Sequence, residues 1–271
     1  MLLDAALMGL LGAVMGSFLT VVVMRLPVML ARRWESPDAD PNLPQRYNLA
    51  VPGSRAPCCG QPLRWYQNIP LFSYALQGGR CTYCGQRIAW LYPALELGTA
   101  LMFALCAVRF GLSASALCWA GFCAALLALA WIDAQTTLLP DDITLPLLWA
   151  GLITAALGWS GTPLLQAVWG AVAGYLSLWL VYWGFKLVTG KEGMGYGDFK
   201  LFAALGAWFG WPLLVPLILL ASITGAVVGL GLKFSGRLQP SGIMPFGPFL
   251  SGAGLLAVAL GPATLLRSMG L

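Results

Sequence analysis

Long uncharged stretches alternate with short polar ones along this chain, and their lengths predict helices that cross a bilayer. About 20 apolar residues span the hydrocarbon core as a helix. Leu2–Met24 is the first such run, interrupted only by Asp4. Trp90–Val108 and Ser113–Ile132 are the next two. Ile143–Phe185 carries no charge for 43 residues, enough for two helices, with Gly158-Trp-Ser-Gly-Thr-Pro163 as the hinge between them. Leu201–Leu232 divides at Gly210-Trp-Pro212 into a short helix and a longer one, and Pro245–Leu266 supplies the last. The pattern predicts an all-α polytopic membrane protein of about eight transmembrane helices, or seven if the short sixth does not cross.

Composition agrees with the pattern. Hydrophobic residues make up 59% of the chain and charged residues 9%, against roughly a quarter charged in a soluble domain. Mean hydropathy is +0.79. Heptads, strict G-X-Y repeats and low-complexity tracts are absent. The chain contains 0 histidines, which removes Ser-His-Asp and Cys-His catalysis and His-ligated metals. Any hydrolytic chemistry must come from carboxylates, thiols or lysine. The 12 tryptophans are expected mostly near span ends, as an interfacial belt. Cys106, Cys118 and Cys123 fall within spans and read as packing residues.

Charge then sets orientation. Met1–Met24 lacks the basic n-region of a cleaved signal peptide, so it reads as a retained span that starts outside. With that start, 13 of the 15 basic residues, Arg25 through Arg237, fall on inner segments. Only Arg109 and Arg267 fall on outer ones. The positive-inside rule then places both termini outside.

Two aspartates gain meaning from this topology. Asp133 closes the third span as it reaches the cytoplasmic face, and Asp198 opens the sixth as it leaves that face. Two carboxylates within reach of one water are the equipment of aspartyl proteolysis. Like charges that close cannot both ionise, so the pair holds one proton and titrates as a unit. Gly195 and Gly197, without Cβ atoms, are expected to let a substrate backbone approach the Asp198 carboxylate. The structural alternative for Asp198 is an N-cap. Asp133 has no such role at a helix C-terminus, where the macrodipole disfavours negative charge. Asp141 and Asp142, after Pro140, read as caps of the helix that follows. Lys200 either tunes the pair or snorkels to the cytoplasm. Met244-Pro-Phe-Gly-Pro248 reads as the start of the last helix and a substrate-side loop, with no chemistry assigned.

With these residues in place, the sequence resembles the type IV prepilin leader peptidases, membrane aspartyl proteases of the GxGD class. The likeness runs through Gly16-Ser-Phe-Leu-Thr-Val-Val-Val-Met-Arg-Leu-Pro27, Asn68-Ile-Pro-Leu-Phe-Ser73, Tyr92-Pro-Ala-Leu-Glu-Leu97 and Lys191-Glu-Gly-Met-Gly-Tyr-Gly-Asp-Phe-Lys200, in that order. Thr20 stands where asparagine is usual. The resemblance implies an inner-membrane enzyme, active on the cytoplasmic side, that removes the basic leader from type IV prepilins and type II secretion pseudopilins. Asp133 and Asp198 match the family's catalytic aspartates. The resemblance also implies N-methylation of the new N-terminus with S-adenosylmethionine. A peptidase without methylation, a proton-coupled transporter and a non-catalytic scaffold are the competing readings; no nucleic-acid partner is expected.

Organisation follows from the same pattern: a first helix (1–24), a cytoplasmic loop (25–89), which the resemblance associates with methyl transfer, and a transmembrane peptidase region (90–271). The loop is too small for a large core, so a staple is expected. It holds Cys58, Cys59, Cys81 and Cys84, and a cytoplasmic setting favours metal thiolates over disulfides. Cys81-Thr-Tyr-Cys84 forms a knuckle suited to a four-cysteine zinc site. The family's first pair is Cys-Pro-x-Cys, whereas this chain reads Ala56-Pro-Cys-Cys59. Either Cys58 replaces the ligand absent at Ala56, or the site is three-coordinate with water, or it is empty. Arg64, Asn68 and Glu96 are candidates for cofactor or substrate contact, with solvated or interfacial anchoring as the alternative. Glu96 is expected either to pair with a loop arginine or to meet substrate.

Overall fold

In the computed structural model the described residues are 1–34, 46–191, 193–236 and 244–268. Glu192 and Arg237, both used above, lie outside them. The chain forms two compact units, Met1–Ala116 and Leu117–Leu271. The division falls inside a helix, well beyond residue 90, where the polarity pattern put it.

The first unit contains α1 (Leu2–Trp34), α2 (Phe72–Leu76) and α3 (Leu91–Phe110), with an irregular loop between α1 and α3. α1 does not stop at Met24. It continues through Pro27 to Trp34, so the first basic residue, Arg25, ends the apolar run without ending the helix. α1 and α3 cross closely at two glycines one turn apart, a small-xxx-small contact. A Cβ on Gly12 would lie 2.7 Å from the Thr99 carbonyl oxygen, and one on Gly16 2.6 Å from the Glu96 Cα.

The second unit contains α4 (Ala114–Thr136), α5 (Asp141–Ala156), α6 (Leu164–Thr189), α7 (Tyr196–Phe209), α8 (Leu214–Phe234), α9 (Gly247–Leu260) and α10 (Pro262–Ser268). Both expected hinges hold: α5 ends before Gly158 and α6 follows Pro163, while Gly210, at φ +79°, ends α7. Among the described residues, five helices are long and apolar enough to cross a membrane: α1, α3, α4, α6 and the 211–234 segment that includes α8.

α7 is the centre of this unit. Its 14 residues rise only about 21 Å, short of a hydrocarbon core of roughly 30 Å. Every residue from Asp198 to Phe209 except Lys200 is buried, so the helix is enclosed by protein rather than lipid. α6 approaches it at Gly170, whose Cβ position is filled by the Gly206 backbone. On the α5 side, Gly151 makes room for the Trp208 ring, and Trp208 Nε1 donates to the Leu147 carbonyl at 2.9 Å. Trp119, Phe122, Trp208 and Phe209 stack around this point, with centroids 4.7–5.5 Å apart. Trp119 and Trp208 are thus core residues and not part of an interfacial belt. Cys106 and Cys123 are buried, as their place within spans implied.

The outward surfaces of α6 and α8 carry exposed Leu165, Trp169, Leu180, Val181, Ile223 and Val227. A soluble protein would not tolerate such apolar exposure; hydrocarbon favours it.

Candidate active site

The end of α4 and the start of α7 each deliver one buried carboxylate. Asp133 lies in the last turn of α4 with 4% exposure, and Asp198 in the first turn of α7 with 7%. Asp133 is close enough to Asp198 for direct electrostatic interaction.

Each carboxylate has one oxygen on a glycine amide. Asp133 Oδ2 accepts from Gly247 N–H at 2.9 Å. Gly247 opens α9, so a carboxylate ill-placed at its own helix's C-terminus faces the positive end of another helix. Asp198 Oδ2 accepts from Gly195 N–H at 3.2 Å. Gly195 is the N-cap of α7 and Asp198 the third helical residue, which corrects its reading as an N-cap. The capping bond occupies one oxygen only. Oδ1 of Asp198 is buried with no hydrogen-bond partner among the described residues. A buried acceptor in that state is costly unless something else meets it.

Leu139 completes the arrangement. Thr137, at φ +54°, turns the chain sharply after α4, an uncommon conformation for a β-branched residue. Leu139 is thereby wedged against two glycines. A Cβ on Gly197 would lie 2.7 Å from Leu139 Cβ, and one on Gly247 would lie 3.0 Å from Leu139 Cδ2 and 2.6 Å from Asp133 Oδ2. The space beside Gly197 is therefore taken by the protein itself, a correction to its expected role in substrate approach. Gly195 has no such neighbour: its Cβ position meets Asp198 Oδ2 at an ordinary 3.7 Å.

Lys200 does not reach for the aspartate pair. Its Nζ lies 2.7 Å from both oxygens of Asp141, clamping α7 to the first turn of α5. Asp141 accordingly makes no cap bond. Gly247, Leu139 and the Lys200–Asp141 pair were not assigned from sequence; the only local signal was the Pro-Phe-Gly-Pro context of Gly247.

The loop of the first unit holds a second constellation. The sulfurs of Cys58, Cys59, Cys81 and Cys84 all lie within 4.8 Å of one another. Cys59 and Cys81 sulfurs are 3.9 Å apart, near the ~3.8 Å edge of a tetrahedron with ~2.3 Å metal–sulfur bonds, while those of Cys58 and Cys84 lie closer, at 3.1 Å. The two cysteine segments repeat one fold. Ala56 N–H donates to Gln61 O and Cys81 N–H to Gln86 O; Gly60 N–H donates to Ala56 O and Gly85 N–H to Cys81 O. Gly60 and Gly85 have φ of +69° and +70°. Ala56 thus occupies the position of Cys81, and Cys59 that of Cys84. Cys58, one residue out of pattern, brings the fourth sulfur.

Electrostatics inside the cluster are uneven. Backbone N–H groups of Cys84 and then Tyr83, directed at the Cys81 sulfur, bring that thiol down to about 6. A hydrogen bond to Cys84 is the main cause that pushes Cys58 up to about 12. The donor set, thiols with one already drawn toward thiolate, fits a soft or borderline cation.

Glu96 corrects another expectation. Its carboxylate accepts from Leu71 N–H at 2.8 Å and from the Ser17 hydroxyl; among the described residues it pairs with no arginine. Arg64 instead donates to Tyr66 Oη at 3.2 Å.

A helical membrane protein with a buried aspartate pair and a separate four-thiol loop is the class these features define. Residues 120–230 match the type IV leader peptidase family, and residues 10–110 match the bacterial peptidase A24 N-terminal domain. The two matches fall largely in the two compact units. A prepilin leader peptidase/N-methyltransferase of Burkholderia pseudomallei (strain 1026b) is 48% identical over 93% of this chain and 84% of its own. Proteins of the same description from Pseudomonas putida and Aeromonas salmonicida are 48% and 46% identical, over 96% and 94% of this chain and 92% and 90% of theirs. No solved structure matches. The chain belongs to the type IV leader peptidase family.

Proposed function

We propose that this protein is a bifunctional inner-membrane enzyme that cleaves the leader from type IV prepilins and related pseudopilins and N-methylates the new N-terminus. The observation that carries the peptidase half is the Asp133–Asp198 pair. Each acid is fixed by one oxygen to a glycine amide, and Asp198 Oδ1 is left buried and unpartnered.

The geometry supports a general acid–base mechanism. A water held between the two carboxyl groups gives a proton to the ionised member and attacks the scissile carbonyl. The protonated member donates to the carbonyl oxygen, and collapse of the tetrahedral intermediate returns a proton to the departing amine. The two acids act as one titrating unit, so neither is assigned a fixed role. Gly247 and Gly195 amides hold the acids in register and polarise them without entering the reaction. A substrate with a cytoplasmic basic leader and an apolar helix in lipid presents its junction at the interface. Acids at the cytoplasmic end of α4 and α7 suit that address. The proposed topology has both termini outside the cytoplasm.

Methyl transfer draws its support from the shared description of the relatives. S-adenosylmethionine supplies the methyl group in that reaction. Cys58, Cys59, Cys81 and Cys84 would hold a zinc ion that staples the loop. Purified protein is expected to carry roughly one zinc per chain, and the Cys81→Ser/Cys84→Ser variant none. Equal metal content in both would refute the assignment.

Lys200 is a positioning residue here. Lys200→Met should slow cleavage by up to about fivefold, in line with a half-exposed ion pair worth about 1 kcal/mol at most. Lys200→Arg should restore most of it. Mass spectrometry of the N-terminus of a co-expressed type IV prepilin tests the whole proposal. Loss of the leader with a 14 Da gain is the expected product; an intact leader would refute the peptidase, and an unmethylated terminus the second activity.

A further inference from the structure

The first unit contains a cavity of about 310 Å³ that the peptidase chemistry leaves unused. It lies between the middle of α1, the start of α3 and the loop, and its wall includes Ala56 and Cys81 of the thiol knuckles. Its volume is at the lower end of the range for small-molecule sites, roughly 300–1,000 Å³, and too small for a peptide helix.

Its chemistry is specific. Glu96 is the sole acid among the residues lining it, Tyr74 and Tyr92 contribute two aromatic rings, and the ring of Tyr47 is already faced by the Arg25 and Arg32 guanidiniums. Glu96 is only 9% exposed, and among the described residues no lysine or arginine pairs with it. A buried carboxylate ordinarily requires a cationic partner. Carboxylate and aromatic faces together are the recognition chemistry of sulfonium and quaternary ammonium groups.

Backbone strain points to the same place. Leu71 has φ +60° and ψ −45°, and Phe72 N–H donates across it to Pro70 O. This is a γ-turn of the rare positive-φ kind. Such a turn is strained and persists only where surrounding contacts enforce it, most often at functional sites. Here the turn aims Leu71 N–H at Glu96, fixing the carboxylate that faces the cavity. Arg25 also lines the cavity while its guanidinium holds the Asn48 and Leu49 carbonyls. Asn68, left open from sequence, lies on the same wall.

We infer that this cavity binds S-adenosylmethionine, with the sulfonium at Glu96 and the tyrosines, its carboxylate toward Arg25, and the adenine edge toward amide side chains such as Asn68. The inference rests on the methyltransferase reading and gives it a location. It also gives the thiol cluster a purpose, since the knuckles form part of the ligand's wall.

Equilibrium dialysis of the full-length protein in detergent, with labelled S-adenosylmethionine and with S-adenosylhomocysteine, tests it without reference to turnover. Glu96→Gln, which keeps an acceptor for Leu71 N–H, should weaken S-adenosylmethionine binding at least tenfold, and the uncharged thioether product less. Ser73→Phe, which grows a side chain into the cavity, should weaken both at least tenfold. Leader cleavage should persist in both variants, reporting that they fold. Wild-type affinity in both variants would overturn the site while leaving methyl transfer intact. A wild-type protein that neither binds the donor nor methylates would overturn the underlying reading and the site together.

Discussion

Asp198→Asn is expected to reduce leader cleavage roughly 10²–10⁴-fold, the usual worth of a positioned acid–base group, with insertion and folding preserved. Asparagine keeps an oxygen for the Gly195 amide, so the bond that caps α7 survives. What it loses is the capacity to exchange a proton. Asp133→Asn should behave alike, since its amide oxygen still accepts from Gly247. The double variant should be little worse than either single one, because residues that act as a unit are not additive. A purely capping role for Asp198 predicts the opposite result, near-normal cleavage in the Asn variant. Turnover of a synthetic prepilin peptide by each purified variant decides between them.

Gly247→Ala should be nearly as damaging, although alanine is chemically inert. Its Cβ would sit 2.6 Å from Asp133 Oδ2 and 3.0 Å from Leu139 Cδ2. Neither neighbour can retreat cheaply: Asp133 is held at the end of α4, and Leu139 already fills the place of a Gly197 side chain. The carboxylate must rotate or α9 must shift, and a displacement near 1 Å can cost about 100-fold in rate. The expected result is a roughly 100-fold fall in kcat for leader cleavage, with the helical content unchanged. Gly195→Ala is the matched control, since its Cβ would meet Asp198 Oδ2 at 3.7 Å; it should cost far less. Comparable losses in the two variants would contradict the packing account.

The contrast between these glycines shows what the sequence could and could not reveal. Asp133 and Asp198 were legible because charge in an apolar run is expensive and therefore conspicuous. The breaks at Gly158–Pro163 and Gly210–Pro212 were legible because glycine and proline act locally. The Asp133–Gly247 bond joins residues 114 positions apart, and the Lys200–Asp141 pair residues 59 apart. No periodicity encodes such partnerships; they emerge only when helices pack. Gly197 illustrates the same limit. Its lack of a Cβ was evident, but whether substrate or Leu139 used the space was not. α1 is a different case: the apolar run ends at Met24, yet the helix continues ten residues further, to Trp34. Hydropathy records the solvent, not the helix. At the loop, the departure at Ala56 left the metal site open from sequence. The repeated turns bring Cys58 beside Cys59, Cys81 and Cys84, so four sulfurs gather although Ala56 offers none.

Proximity of the two acids is the claim on which the peptidase assignment stands. Asp133→Cys and Asp198→Cys, combined in one chain and treated with a thiol cross-linker only a few Å long, report it directly. Mass spectrometry of the digested protein then distinguishes this link from any made by the native cysteines. A peptide joining positions 133 and 198 is the predicted product, formed without substrate. Two singly modified thiols that never join would contradict the account.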